Sequence, residues 1–381
     1  MKIFYLGYYS DIDNNRKTAP AADTKIDYVL ESLKSFSNDI ELLSFCYVDD
    51  RSRILKKYKG YVNDKNGIKI RYFSTYSSKY RVIRVIGRFF TWLEQKKYIK
   101  EHCLSNNSNI IIYHSLLLLR IYKLLNKYKR KYTIEVEEIY SDVINKKNFR
   151  KKEIDYLNKG NKYIFPTKLL NDELNVNHKP YVIVHGTYKI EKRIKKIGFG
   201  DNKIHCVYAG TFDPRKGGLT AAAAAEYLPE NYHIHVIGFG SPQNVKRMEN
   251  EIEKIKKISK AEVSYDGLLT GDDYLNFIQS CNIGLSTQDP NAAFNSTSFP
   301  SKILSYMANG LRVVSIKIPA IESSKIGNYL YYYDKQEPKE IAKAIMNINM
   351  DDNYDSQQII KKLDIDFKKE LEEMLISENE L

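Results

Sequence analysis

The amino-acid sequence predicts an α/β fold made of two doubly wound domains. Three observations lead there. A chain of 381 residues exceeds what one hydrophobic core usually organises. Short continuous apolar runs, the pattern of strands buried on both faces, alternate with stretches of helical apolar spacing. That alternation restarts after a charged stretch with two glycines at residues 189–202. The expected division is an N-terminal domain, 1–190, and a C-terminal domain, 203–354, with the amphipathic tail 355–381 crossing back onto the first.

The first domain opens with the apolar run 3–6, which stops at Gly7 and leads through a polar loop into a helix marked by Ile26, Val29, Leu30 and Leu33. Strand signals follow at 40–45, 110–113, 132–136, 163–165 and 181–184, with a leucine-rich helix at 116–125. The second domain reads as strand 204–209, helix 218–227, strand 234–237, helix 244–258, strand 263–265, helix 272–281, strand 283–285, helix 301–308 and strand 313–316. Thr270 and Asp273 form the pattern of a capping box, and Gly310 stands where a glycine ends a helix. Two Rossmann-like domains in tandem are expected to turn the carboxyl ends of their sheets toward a shared cleft, where ligands of such folds bind.

Composition narrows the function classes. No stretch approaches 18 consecutive apolar residues, and residues 1–7 lack the regions of a signal peptide, so a cytoplasmic chain without a membrane span is expected. The four cysteines, Cys46, Cys103, Cys206 and Cys281, show no zinc or redox spacing and suit a reducing compartment. Residues 51–100 carry fifteen Lys and Arg against Asp64 and Glu94, a surplus equal to the whole net charge of +13. Such a patch suits nucleic acid, anionic lipid headgroups or plain solvation. Within it, residues 81–100 have helical spacing, with Val82, Val85, Ile86, Phe89 and Leu93 on one side and Arg81, Arg84 and Arg88 beside them. That helix either lies in a lipid interface or turns its apolar side to the core.

The segment Gly210-Thr211-Phe212-Asp213-Pro214-Arg215-Lys216-Gly217-Gly218 joins a strand end, a tight turn and a helix start, with two adjacent cations. Backbone N–H groups of such a turn attract an anion and two cations neutralise phosphates, which points to a diphosphate; a solvated turn is the plainer alternative. The pattern is not that of a P-loop. Further on, Pro300-Ser301-Lys302 opens a helix that continues through Ser305-Tyr306 to Gly310.

These segments resemble the retaining GT-B glycosyltransferases of the large family-four-like group. In that family Gly-Arg-x-x-x-x-Lys-Gly supplies an Arg and a Lys to the donor diphosphate; Lys216 matches the Lys, while Thr211 stands at the Arg position with Arg215 nearby. The family's donor-binding glutamate pair falls on Thr297 and Ser305, which is similar to a branch related to galactofuranosyl and protein-linked glucosyl transferases that has Ser before the Tyr. Gly238 and the Gly267-Leu268 turn resemble the remaining donor-binding turns. The resemblance therefore implies donor contacts at Gly210, Arg215, Lys216, Gly217, Gly238, Gly267, Leu268, Thr297, Lys302 and Ser305. It also implies catalytic candidates His114, Glu137 and Glu138 at strand ends, and acceptor-side residues Gly7, Arg16 and Lys25. His233 and His235 alternate on one strand without an evident third ligand, so packing is the expectation and no metal is assigned.

The implied activity is metal-independent transfer of a hexosyl group from a nucleotide diphosphate sugar, the donor substrate rather than a cofactor, with retention of configuration. The implied acceptor is a glycan or lipid-linked molecule in bacterial surface polysaccharide synthesis. Peripheral contact of residues 81–100 with the inner face of the membrane is expected, and nucleic acid is not. A sugar-nucleotide epimerase of the same fold and a basic protein binding nucleic acid or a membrane surface are the competing readings.

Overall fold

Pairing of the strands produces two large sheets and a separate two-stranded ribbon. The computed structural model describes residues 1–10, 16, 18–105, 107–144, 146–194, 198–291 and 298–376, apart from the side chain of Lys147. The chain forms two compact units. The first comprises Met1–Pro166, Leu170–Thr187 and Asp366–Leu381; the second comprises Thr167–Leu169 and Tyr188–Ile365.

The first unit contains strands β1 (Lys2–Gly7), β2 (Asp39–Ser44), β3 (Lys56–Tyr58), β4 (Tyr61–Lys65), β5 (Ile68–Tyr72), β6 (Thr75–Ser77), β7 (Ser108–Tyr113), β8 (Thr133–Glu135), β9 (Lys162–Phe165) and β10 (Tyr181–Ile183). Eight of them form one sheet in the order β10-β9-β8-β7-β1-β2-β5-β4, parallel except for the antiparallel edge pair β4 and β5. Ile3, Phe4, Tyr5 and Leu6 are buried at the centre because β1 has a neighbour on each side and helices over its faces. β4 is exposed along its whole length, and β3 nearly so. They carry charge in place of an alternating apolar pattern, so periodicity does not reveal them.

Helix Pro20–Lys34 has proline in its first turn, Asp23 near its N-terminus and Lys34 in its last turn, each favourable at its place. Helix Arg81–Tyr98 continues as a π-helical segment, Ile99–Cys103. Its apolar side is not core. Val82, Val85, Ile86, Phe89, Phe90 and Leu93 are all exposed, Val82 by 70%. Helix Ser356–Ile376 has its residues up to Ile365 in the second unit and those from Asp366 in the first. There Phe367 stacks on Tyr28 with centroids 5.8 Å apart, and Lys162 Nζ donates to the Met374 carbonyl at 2.6 Å. None of the described helices is long and apolar enough to cross a membrane.

The second unit contains β11 (Ile204–Thr211), β12 (Tyr232–Phe239), β13 (Glu262–Tyr265), β14 (Ile283–Ser286), β15 (Arg312–Ile316) and β16 (Tyr331–Tyr333), all parallel in the order β13-β12-β11-β14-β15-β16. The order reverses direction between β11 and β14, the switch point beside which doubly wound sheets bind ligands. Thr270 does occupy the N-cap of helix Gly271–Ser280, but its side chain makes no capping hydrogen bond. Gly310, at φ +89°, ends helix Ser301–Ala308 as its spacing predicts. The four cysteines are buried, and no disulfide is formed among the described residues.

Helix Ser301–Ala308 lies over the switch point because Gly284 of β14 lets it approach. A methyl group on Gly284 would overlap the Tyr306 ring, which is fully buried. Gly284→Ala is therefore expected to destabilise the protein by about 1–3 kcal/mol, as overpacking does. Urea unfolding checks this; an unchanged midpoint would show that Tyr306 moves aside freely.

Candidate functional site

At the switch point the strand ends form a ledge without side chains. Gly210 and Gly238 are register partners on β11 and β12, and a Cβ on Gly238, whose φ is +140°, would overlap the Gly210 carbonyl oxygen. Gly238 N donates to the Gly267 carbonyl at 2.9 Å, and Tyr265 Oη donates to the Gly238 carbonyl at 3.2 Å. Three of the glycines singled out from sequence thus lie at the ends of three adjacent strands. Leu268, beside them, is exposed.

The turn after β11 is tied down from both ends. Asp213 caps the 3-10 turn Pro214–Lys216 by accepting from Arg215 N at 2.9 Å, and the Arg215 guanidinium donates to both of its oxygens, at 3.0 and 2.6 Å. Those bonds hold the Asp213 carboxyl below its usual range. Gly217, at φ +76°, follows in the left-handed region and passes so close to Thr287 that a Cβ would overlap its carbonyl. Thr287 Oγ1 donates to the Gly217 carbonyl at 2.9 Å, pinning the turn to the end of β14.

Lys302 reaches this ledge from the first turn of helix Ser301–Ala308. Its Nζ is 4.0 Å from the Tyr208 ring centroid and 3.3 Å from where a Cβ on Gly210 would sit. The nitrogen is shut off from solvent and has no hydrogen-bond partner among the described residues. Burial first, and the charge of Lys216 second, push the Lys302 ammonium down to about 7. One turn along, Ser305 Oγ lies 3.3 Å from Tyr274 Oη, and the Tyr306 hydroxyl accepts from Ala209 N at 2.8 Å. The structure thus gathers Gly210, Gly238 and Lys302 at one point, with Arg215, Lys216 and Gly217 on the adjoining turn. Thr297 lies outside the described residues. A buried cation beside open backbone and flanked by further cations is suited to a group with two negative charges.

In the first unit Lys25 is buried, donating to the Val184 carbonyl at 3.0 Å and lying 3.3 Å from Glu137 Oε1. Glu137 is about a quarter exposed and Glu138 is half-buried. Neighbouring Glu135 accepts from Tyr5 Oη at 2.6 Å; burial raises its carboxyl well above the usual range while Lys25 pulls it down.

Two residues singled out from sequence are engaged within the first unit. His114 is 1% exposed, with Nδ1 3.1 Å from Tyr122 Oη and Nε2 2.8 Å from Glu153 Oε1, so its ring is enclosed and both nitrogens are engaged. Burial tends to raise Glu153, but bonds from His114 and Ser141 outweigh it and hold the carboxyl low. Glu153 also accepts from Tyr140 N and Ser141 N, at 2.8 and 2.9 Å, which makes this cluster a brace for the segment after β8. Arg16 is also committed inward, donating to the Cys46 and Phe73 carbonyls at 2.8 and 3.0 Å above the Tyr72 ring. Gly7 accepts from Phe45 N at 2.9 Å and presents no side chain.

Sequence reasoning missed Glu153, which sits in a charged helix without a motif. It also missed a cavity of about 180 Å³ whose walls include Tyr8, Tyr47, Asp49, Arg84, Arg88 and Trp92. Its only sequence signal was the mixture of aromatic and basic residues on helix Arg81–Tyr98. A third histidine was missed too: His205 of β11 is the register partner of His233.

No protein-family model and no curated protein matches the chain. Solved structures do match it in fold. Trehalose-6-phosphate from E. coli bound with UDP-2-fluoro glucose aligns with a TM-score of 0.64 at 12% identity, over 98% of this chain and 98% of that chain. Anabaena HepE in complex with UDP aligns with a TM-score of 0.64 at 13% identity, over 99% and 100%. The lipopolysaccharide outer core galactosyltransferase WaaB, apo form, aligns with a TM-score of 0.64 at 15% identity, over 99% of both chains. With its two predominantly parallel, doubly wound sheets, the chain has the α/β fold of two Rossmann-like domains that defines the GT-B class.

Proposed function

We propose that the protein is a glycosyltransferase that moves a hexosyl group from a nucleoside diphosphate sugar to a glycan or lipid-linked acceptor. The observation that carries this reading is Lys302, a buried ammonium without a hydrogen-bond partner among the described residues, beside a side-chain-free ledge between Gly210 and Gly238. A protein keeps such a charge out of water at a cost in stability, and an arriving diphosphate offsets it. The E. coli structure is bound with UDP-2-fluoro glucose and the Anabaena structure with UDP, which supports a donor of that class.

In this reading the bond from the anomeric carbon to the diphosphate oxygen breaks, and Lys302 and Lys216 take up the negative charge that develops on the leaving group, with Arg215 swinging from Asp213 to assist. Donor binding requires no metal. Ser305, in the Ser-Tyr variant of the donor helix, and the Gly267-Leu268 turn hold the ribose and base. In the first unit Glu137, 3.3 Å from Lys25 Nζ, orients or deprotonates the acceptor hydroxyl, and Glu138 lies on the same segment. Retention of configuration follows from the family resemblance.

The exposed apolar side of helix Arg81–Tyr98 supports peripheral attachment to the inner face of a membrane, where a lipid-linked acceptor of surface polysaccharide synthesis is found. Six large apolar side chains stand in solvent beside Arg81, Arg84 and Arg88, the combination that settles in an anionic lipid interface. The cavity containing Tyr47, Arg88 and Trp92 lies against the same helix and has the aromatic and cationic lining that a sugar phosphate needs.

Three outcomes are expected. UDP, GDP or dTDP, or one of their sugars, raises the melting temperature of the wild type, and Lys302→Met loses that shift; no shift with any of them would remove the reading, and donor consumed without an acceptor would turn it into an epimerase. Without nucleotide, Lys302→Met is more stable than the wild type by about 2–4 kcal/mol at neutral pH. The sign follows from an amine depressed on folding to about 7. Between that value and the ordinary amine range the unfolded chain holds more protons, so the wild type gains stability as pH rises and the mutant's advantage fades toward pH ~10. A constant difference across that range would contradict the buried charge. Finally, the protein sediments with vesicles containing anionic lipid, less so at high salt, and Ile86→Asp with Phe89→Asp reduces the bound fraction at least about tenfold; equal binding by the double variant would exclude this helix.

A further inference from the structure

Three histidines gather on one face of the second unit's sheet, near the amino ends of its strands. Parallel register places His205 of β11 opposite His233 of β12, and the two-residue period of a strand puts His235 on the same face. β13 adds Glu262 opposite His233 and Ser264 opposite His235, and Asp266 follows two residues later. His205 and His235 are buried and His233 is half-buried.

Each ring is held at one nitrogen by its own carboxylate. His205 Nε2 is 2.8 Å from Asp201 Oδ1, His235 Nδ1 is 3.1 Å from Asp266 Oδ2, and His233 Nδ1 is 3.2 Å from Glu262 Oε2. A neutral imidazole carries one N–H, and a carboxylate can only accept, so the hydrogen bonds of His205 to Asp201 and of His235 to Asp266 use the ring protons of both. The consequence falls on the other side of the rings. His205 Nδ1 and His235 Nε2 then face each other with bare lone pairs at 2.9 Å. Ser264 Oγ, 2.9 Å from His233 Nε2, has one proton and is also 2.9 Å from Asp266 Oδ2. Facing lone pairs in a buried cluster require a positive centre between them.

We infer that His205, His233 and His235 bind a divalent transition-metal ion of the zinc class through the nitrogens their carboxylates leave free. One ligand atom from each lies within 4.8 Å of the others. Zinc–nitrogen bonds of about 2.0–2.1 Å separate two ligands of a tetrahedral ion by roughly 3.4 Å, so the rings must turn to admit the ion, His233 away from Ser264. Three imidazoles, each oriented by a carboxylate, are the donor set such ions select over calcium or magnesium. A shared extra proton is the other occupant, and the cobalt titration below separates the two.

The ion is structural. His205 precedes Gly210 by five residues on β11, about 16 Å at the rise of a strand, so the ion lies well away from the glycine ledge. It instead fastens the segment that leads into β11. Phe199 stacks over His205 and His235 with centroids 4.1 and 4.7 Å away, and Asp201 of the same segment holds His205. Binding draws residues 199–203 onto the sheet.

The test uses the full chain, stripped with a chelator and titrated with cobalt(II) and with zinc(II) against a chromophoric indicator. Expected results are one ion per chain, the intense visible absorption of tetrahedral cobalt and a higher melting temperature with zinc. His235→Gln and, separately, the half-buried His233→Gln weaken zinc binding at least tenfold, and Asp266→Asn weakens it by about tenfold. Lys302→Met leaves it unchanged. Absence of tetrahedral cobalt in the folded wild type overturns the proposal, and so does zinc affinity that survives both histidine substitutions. Because the wild-type spectrum is decisive by itself, a variant that fails to fold does not shield the inference.

Discussion

Lys302 is held over the Tyr208 ring with its charged end out of water, and much of the second unit is arranged around that placement. The ring supplies a cation–π contact but no hydrogen bond. For the ammonium to reach its position, the strand ends must come without side chains at Gly210 and Gly238, the helix must approach closely over Gly284, and Tyr306 must fix the helix by accepting from Ala209 N. Each of these is a packing requirement of a different element. Together they keep a charge in a place where an arriving anion or the loss of its proton relieves it.

The sheets were legible from sequence because their strands are buried on both faces and so appear as unbroken apolar runs. β11, β12, β14 and β15 all lie where those runs fall, within a residue or two at their ends. β3 and β4 were not legible, since short exposed strands rich in lysine have no pattern to detect. The glycine turns and the Lys302 helix could be read because backbone approach restricts residue type. What sequence could not give was register and depth. His205 is 28 positions from His233 in the chain yet is its neighbour across the sheet, and nothing in the linear order announces that. His114 sits at a strand end, where a ligand-facing histidine would be equally at home, and only the enclosing Tyr122 and Glu153 show its role.

The first unit shows how polar side chains substitute for secondary structure where the chain is irregular. Arg16 ties two loops through their carbonyls, Lys25 does the same for the segment after β10, and Glu153 gathers the amides after β8. Buried carbonyls and amides require partners, and long charged side chains supply them without demanding a regular path. Loops braced in this way can vary in sequence elsewhere while holding the strand ends in place.

The buried cysteines have a practical consequence. Cys46 and Cys103 are enclosed and burial pushes both thiols up to about 12, while Cys206 is pushed higher still. Cys281 is buried with its Sγ 3.4 Å from the Phe277 carbonyl. Thiolates are the reactive form, so these four are slow toward alkylating reagents while the protein stays folded. A cysteine introduced on the outer side of helix Arg81–Tyr98 would then be labelled against a silent background. The native protein is in effect already prepared for spectroscopic probes.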